Sequence, residues 1–261
     1  MADTRAMRKK YLSACVLFAW AALRVGAQVT EVPQTIAPGK FLLRMDAISL
    51  GFNRDTTQAN KFTALGLASS ILSTGVAQDV DVQLGVDFFL RETYQYRGTN
   101  TTHSGLGDVS FRTKWTFWRD DTQGEAAAVI PYIKVPTHRG GVSNDHVEGG
   151  VIVPWALALG TGTTAGAMAQ WDLLRNDANN GYDSRWSASG YLHQELGSLL
   201  GLYGEATAAV SSASASSFAG TLGGGATLTL SKHVQWDYGI SRGLGGRATD
   251  WTSVLRLRWG F

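Results

Sequence analysis

The stretch DVDVQLGVDFF, residues 79–89, decides how the chain is read. In an extended strand successive side chains alternate, so Val80, Val82, Leu84, Val86 and Phe88 share one face, and Asp79, Asp81, Gln83, Gly85 and Asp87 share the other. Three carboxylates on one face of a single strand need water or cationic partners. The next segment, GDVSFRTKWTFW at residues 107–118, supplies them: Val109, Phe111, Thr113, Trp115 and Phe117 alternate with Asp108, Ser110, Arg112, Lys114 and Thr116. In AAVIPYIKVPT, residues 127–137, Ala127, Val129, Ile133 and Val135 alternate with Ala128, Ile130, Tyr132 and Lys134.

The same period continues to the end of the chain. RWSASGYLHQE sets Arg185, Tyr191, His193 and Glu195 on a polar side, and VQWDYGIS opposes Val234, Trp236, Tyr238 and Ile240 to Gln235, Asp237 and Gly239. The terminal SVLRLRWGF puts Leu255, Leu257, Trp259 and Phe261 on one face and Arg256 and Arg258 on the other. The pattern predicts strands near 40–51, 61–75, 79–90, 106–118, 125–137, 148–159, 163–174, 184–195, 200–210, 218–230, 233–242 and 251–261. The connections alternate in length. Short turns at 77–78, 160–162, 196–199 and 231–232 and an intermediate one at 119–124 interleave with longer polar loops at 52–60, 91–105, 138–147, 175–183 and 243–250, and a Ser/Ala-rich loop at 211–217. A soluble sandwich has no reason to alternate this way, whereas outer-membrane barrels have short periplasmic turns and longer external loops. Both termini then fall on the periplasmic side.

The N-terminus and the composition agree. Arg5, Arg8, Lys9 and Lys10 precede an apolar stretch from Tyr11 to Leu23, and Val25, Gly26 and Ala27 supply small residues for cleavage, as in a secretory signal peptide. That stretch is shorter than the ~20 residues a spanning helix needs. Its removal takes away five basic and one acidic residue and the sole cysteine, Cys15, leaving 18 basic against 20 acidic residues, formally −2. A mature chain without cysteine forms no disulfide, and its charge gives no sign of a nucleic-acid partner. Glycine, at 31 of 261 residues, weakens the strands of a soluble sheet but lets barrel strands bend. The fold expected is therefore all-β: a transmembrane antiparallel up-and-down β-barrel of about twelve strands over residues 40–261, after a signal peptide at 1–27 and a short periplasmic segment at 28–39.

Three ordered segments, GLGDVSFRTKW at 105–115, PYIKVPT at 131–137 and VQWDYGISRGLGGRATDWTSVLRLRWGF at 234–261, resemble the outer-membrane transporters grouped as the putative MetA pathway of phenol degradation family. The resemblance covers most of the mature chain. It implies a barrel engaged in uptake of hydrophobic or aromatic compounds and carries no binding-residue signature.

On these assignments the lumen is lined by Arg44, Asp81, Asp87, Arg112, Lys114, Tyr132, Lys134, Arg185, His193, Glu195, Glu205, Asp237, Arg256 and Arg258, with Asp46, Asp79, Asp108 and Asp172 on the same faces. Asp81 and Asp87 adjoin Arg112 and Lys114; Arg256 and Arg258 lie between Asp237 and Asp46. Such a set reads either as an ion-pair lattice bracing a narrow lumen or as a charged constriction that selects solutes. The expected function is passive or facilitated passage of small solutes, hydrophobic or aromatic ones included. The alternatives are a structural or adhesion barrel sealed by its own interior ion pairs and, with least support, a barrel hydrolase built on His193, Glu195 and Tyr203, for which no serine elbow exists. Trp115, Trp118, Trp155, Trp171, Trp186, Trp236, Trp251 and Trp259 lie near strand ends, where girdle residues meet the lipid–water boundary. Leu257, Trp259 and Phe261 form an expected signal for the barrel assembly machinery. His138, Asp145, His146 and Glu148 have generic spacing and read as a solvated loop, and neither GGVSNDHVEGG nor GLGG opens a helix after a strand, so no phosphate cradle, metal or cofactor is expected. The expected partners are outer-membrane lipids, the assembly machinery and a small-molecule solute.

Overall fold

The computed structural model describes residues 29–55, 60–96, 98–137, 141–176, 180–213, 218–245 and 248–261. The expected signal peptide, His138 and residues 214–217 of the Ser/Ala-rich loop lie outside them. Every described element is a strand: β1 (Phe41–Asp55), β2 (Asn60–Ala77), β3 (Val80–Tyr96), β4 (Thr99–Gly105), β5 (Val109–Asp120), β6 (Glu125–Val135), β7 (Glu148–Gly160), β8 (Thr163–Arg175), β9 (Tyr182–Leu196), β10 (Leu200–Ser211), β11 (Ala219–Thr229), β12 (Val234–Leu244) and β13 (Trp251–Gly260).

Apart from β4 and β5, each strand pairs antiparallel with its neighbours in sequence, and the wall closes where β1 meets β13, from Leu42↔Gly260 to Phe52↔Trp251. The ladder reaches the last residue, with Phe41 N donating to Phe261 O at 2.8 Å and Phe261 N to Phe41 O at 3.0 Å. Both β4 and β5 pair with β3, one along its outer part and one along its inner part, so they are two halves of one wall strand broken at 106–108. The barrel thus has twelve strand positions. Closure satisfies every strand edge internally, which a chain within hydrocarbon must do. The outward faces carry the expected apolar band, with Phe111, Trp115, Ile133, Leu192 and Ile240 among its exposed members. This is an outer-membrane β-barrel.

Two expectations change. The loop foreseen at 91–105 is a β-ribbon: β3 runs on to Tyr96 and returns through Gly98 (φ +83°) into β4. Its Thr- and Tyr-rich residues favour strand, and Thr93 and Thr102 meet across it with their hydroxyls 3.1 Å apart. The strict alternation also breaks midway up three adjacent strands. In β1 the extra residue Ala47 lies between Asp46 and Ile48, which pair with the consecutive Arg256 and Leu255. Inward positions therefore move from Arg44 and Asp46 to Ser49 and Gly51, the effect expected of a bulge. At the same height in β2, Ala68 has φ +55°, and in β3 the buried positions pass from Asp81 and Gln83 to Leu90 and Glu92.

Inside, size is matched across strands. Tyr191 lies over its β8 partner Gly166, where an added Cβ would come within 2.3 Å of the ring, and Tyr203 lies over Gly225, where it would come within 2.6 Å of the hydroxyl. The large ring fills what the missing side chain leaves, so both glycines are required by close approach.

Candidate functional site

Of the segment expected in the periplasm at 28–39, Val29 to Ile36 run inside the barrel, bonded to lumen side chains. Lumen side chains hold its backbone. Glu205 on β10 accepts from Val29 N (2.8 Å), Thr30 N (2.7 Å) and the Thr30 hydroxyl (2.5 Å). Lys114 Nζ donates to Val32 O (2.7 Å) and Gln34 O (3.2 Å), the Thr116 hydroxyl to Pro33 O (2.6 Å), and Asp81 accepts from Ile36 N (2.8 Å). The segment has Pro33 and no strand partner of its own over 29–36, so its amides and carbonyls must be satisfied by the wall.

Glu31 is the anchor. Its Oε1 lies 2.7 Å from both Arg44 Nη2 and Arg112 Nη2, and its Oε2 accepts from Arg44 Nη1 at 3.0 Å. Burial pushes this carboxyl up, but the guanidinium groups of Arg112 and Arg44 outweigh it and hold the group well below the usual carboxylate range. One carboxylate bridging two arginines from opposite ends of the β1–β5 arc ties the segment to both.

Two further charge clusters lie above the segment. Asp172 on β8 is fully buried and accepts from Arg185 Nε (2.8 Å) and Nη2 (2.6 Å), from Gln170 Nε2 (2.6 Å) and from the Tyr132 hydroxyl. Lys134 on β6 lies 2.7 Å from Glu148 and 3.5 Å from Asp108, and Glu148 also accepts from Asn144 and from Arg175 N. A third pair closes the seam: Arg256 on β13 binds Asp46 on β1, Nη2 to Oδ2 at 3.1 Å. Beside it Gln235 donates to Asp237, while Arg258 shares its row with Arg44 and Gln235.

Between these clusters the lumen keeps a cavity of about 210 Å³. One wall carries Arg44, Asp46, Asp87, Arg112, Lys134 and Arg256; the facing wall on β9 to β11 is smaller and mostly uncharged, with Ser187, Ser189, Thr207, Ala209 and Thr221 pointing inward and Arg185 at its outer end. Val29 and Glu31 form its periplasmic floor. The chamber is thus amphipathic across its width.

Residues 27–260 match the model of the family described as putative MetA-pathway of phenol degradation. The chain belongs to that family. In fold, this family member is similar to an outer membrane channel from Pseudomonas putida F1, with a TM-score of 0.65 at 10% identity over 88% of this chain and 98% of the channel. The translocator domain of the autotransporter NalP from Neisseria meningitidis is similar with a TM-score of 0.53 at 12% identity, over 98% of this chain and 95% of that one. The KdgM porin, solved in complex with disordered oligogalacturonate, gives 0.52 at 6% identity over 85% and 99%. No curated protein sequence matches this member of the family.

The expected lumen residues divide accordingly. Arg44, Asp81, Arg112, Lys114 and Glu205 serve the inner segment; Tyr132, Lys134, Arg185 and Arg256 brace the wall; Asp87 lines the cavity. Asp81 lies across from Lys114, next to Arg112, while Arg112 binds Glu31, a residue the alternating pattern could not select because it precedes the strands. The available signal was charge, since a basic inward set on β1 and β5 next to an apolar, Pro-containing leader with one acid invites that acid inside. His193 and Glu195 do not assemble a site: His193 Nε2 lies 3.5 Å from the Thr227 hydroxyl, and Glu195 is exposed at the periplasmic rim. Of the outer loop, Glu148 is committed to Lys134, Asn144 and Arg175 N. The tryptophans face outward in two belts. Trp115, Trp118, Trp155, Trp236 and Trp259 lie toward the periplasmic side, where Trp155 Nε1 donates to Glu125 at 2.7 Å. Trp171, Trp186 and Trp251 lie at the outer end, the first two stacked at 5.9 Å.

Proposed function

We infer that the barrel conducts small solutes across the outer membrane through the amphipathic chamber, and that the inner segment sets the width of the path. The observation that carries this reading is the cavity itself: a lumen wide enough for two facing walls of different chemistry, open space of about 210 Å³ between them, and a floor made by the inner segment and not by the wall. A solute with a polar edge and a less polar body fits such walls, the edge against Arg256 and the body against Thr207 and Ala209 of β10. The family's description supports aromatic compounds as the class. Space of this size holds a single-ring molecule.

The segment also supports the sealed-barrel reading, since its backbone crosses the periplasmic half of the lumen. One experiment separates the two. Purified, refolded protein in liposomes admits small aromatic acids faster than empty liposomes if the chamber conducts, and deletion of residues 29–36 raises that rate further. Equal rates in empty liposomes, wild type and deletion variant would leave the sealed barrel in its place.

A further inference from the structure

The outer rim of the wall carries a group of cations that the lumen does not use. Arg54 on β1, Lys61 on β2, Arg91 on β3 and Arg242 on β12 are all exposed, and all lie on the outward face. The register shows this: Arg242 pairs with Trp251, Trp251 with Phe52, Arg54 with Lys61, and Leu65 with Arg91. One step below, on the same faces, are the exposed apolar residues Leu50 and Ile240. The cations therefore stand where the lipid-facing band ends.

Three observations set these cations apart from the other charges of the barrel. Arg54 and Lys61 are direct cross-strand partners, and like charges so placed repel. Among the described residues none of the four cations forms an ion pair with a carboxylate. Of the described acids near them, Asp250 accepts from the backbone N of Arg54 at 2.7 Å, and Glu92 turns inward to the Tyr94 hydroxyl at 2.7 Å. Two of the cations lie over aromatic faces, Lys61 Nζ at 5.5 Å from the Phe52 ring and Arg242 Cζ at 5.5 Å from the Trp251 ring, which holds long side chains at the interface.

We propose that Arg54, Lys61, Arg91 and Arg242, with Phe52 and Trp251, bind the phosphorylated sugar headgroup of a glycolipid of the lipid A class in the outer leaflet. The patch runs from β12 to β3, four strand spacings of about 4.8 Å or ~19 Å in all, long enough to engage two phosphates at once. Arg54 and Lys61 stand at the headgroup; Arg242 one row lower, and Arg91 two rows lower in the row of Leu50 and Ile240, reach up to the same phosphates, and the exposed Leu50 and Ile240 lie against the acyl chains. The height fits as well. Trp259 and Trp251 lie on one outward face of β13, at the two ends of the apolar band, and the cations cluster around Trp251.

The test uses the full barrel folded in detergent, with native mass spectrometry and thermal unfolding as readouts. Bisphosphorylated lipid A should give a retained adduct and a rise in unfolding temperature. Each Lys or Arg at an anionic lipid surface contributes roughly fivefold in affinity, so the variant R54S/K61S/R91S/R242S should bind about 100-fold or more weaker. The half-variants R54S/K61S and R91S/R242S should each lose at least about tenfold by the same reasoning, and heat-modifiable migration reports that each is folded. Lipid A stripped of both phosphates should lose the adduct on wild type, a comparison that needs no variant. Equal retention of the two lipids by wild type, undiminished binding by the folded half-variants, or stabilisation by inorganic phosphate alone to the same extent as by the lipid would each overturn the assignment.

Discussion

At position 111 the side chain meets lipid; at 112 it meets another part of the protein. Phe111 is exposed and mid-band, so F111R places a charge in hydrocarbon and should cost about 2–4 kcal/mol in equilibrium urea unfolding from lipid vesicles. Arg112 is buried against Glu31, which keeps Arg44 as a second partner. R112S should therefore leave the unfolding of the wall close to wild type and act instead on the inner segment, seen as faster proteolysis near residue 31. Equal destabilisation of the wall by both changes would show the assigned phase to be wrong. The phase of residues 79–89 and 107–118 was legible because five or more alternations on one strand leave a single arrangement that keeps charge off the lipid. The partners were not, because alternation fixes which way a side chain points and says nothing of a segment that alternates with nothing.

The element that sequence period could not place is the inner segment, and its attachment is electrostatic. Glu31 titrates below the usual carboxylate range, so its contribution is present above the unfolded-state value and is lost only as pH falls through the lower folded value. Docking should hold between about pH 8 and pH 5, where an ordinary carboxylate is ionised, and fail in stronger acid. E31Q removes that dependence and takes the Glu31 counter-charge from buried Arg112 and half-buried Arg44, a loss on the order of 3 kcal/mol for docking. Spin labels on cysteines introduced at Thr30 and Ser189, whose hydroxyls lie 2.7 Å apart, read docking directly: their short-range dipolar coupling should be constant above about pH 5 in wild type and weak at all pH in E31Q. Coupling in E31Q as strong as in wild type would mean that Glu205 and Lys114 hold the segment without it. The terminal strand is an element of the other kind, fully legible in sequence. Phe261 continues the β1–β13 ladder and stacks on Phe41 at 5.5 Å, yet its ring is half exposed, available to the assembly machinery before closure. Deleting it should lower heat-modifiable barrel while leaving export intact; full yield of folded barrel would reserve the role for Trp259.

For the whole molecule the question is how twelve strands divide their lumen. They enclose more space than the side-chain-filled eight-stranded case and much less than a 16-stranded porin, so a single extended segment and a few long side chains are enough to set the open path. The strand count was readable from alternating loop lengths, because turn chemistry is local. The height of the wall was not: β3 runs on to Tyr96 and pairs with β4 where a loop was expected, since nothing in a Thr-rich sequence distinguishes strand from loop by polarity alone. That division of the lumen makes the conductance series decisive. R112A/K134A/R256A removes three long side chains from the charged wall, and R112A also strips one of the two arginines from Glu31. Conductance in planar bilayers should rise above wild type, and further deletion of residues 29–36 should raise it again, because the floor and the wall narrow different levels of the same passage. If the two changes together conduct no more than the segment deletion alone, the wall does not limit passage and the segment is the sole constriction. If all variants are silent and admit no aromatic acid, the ion pairs brace a closed barrel.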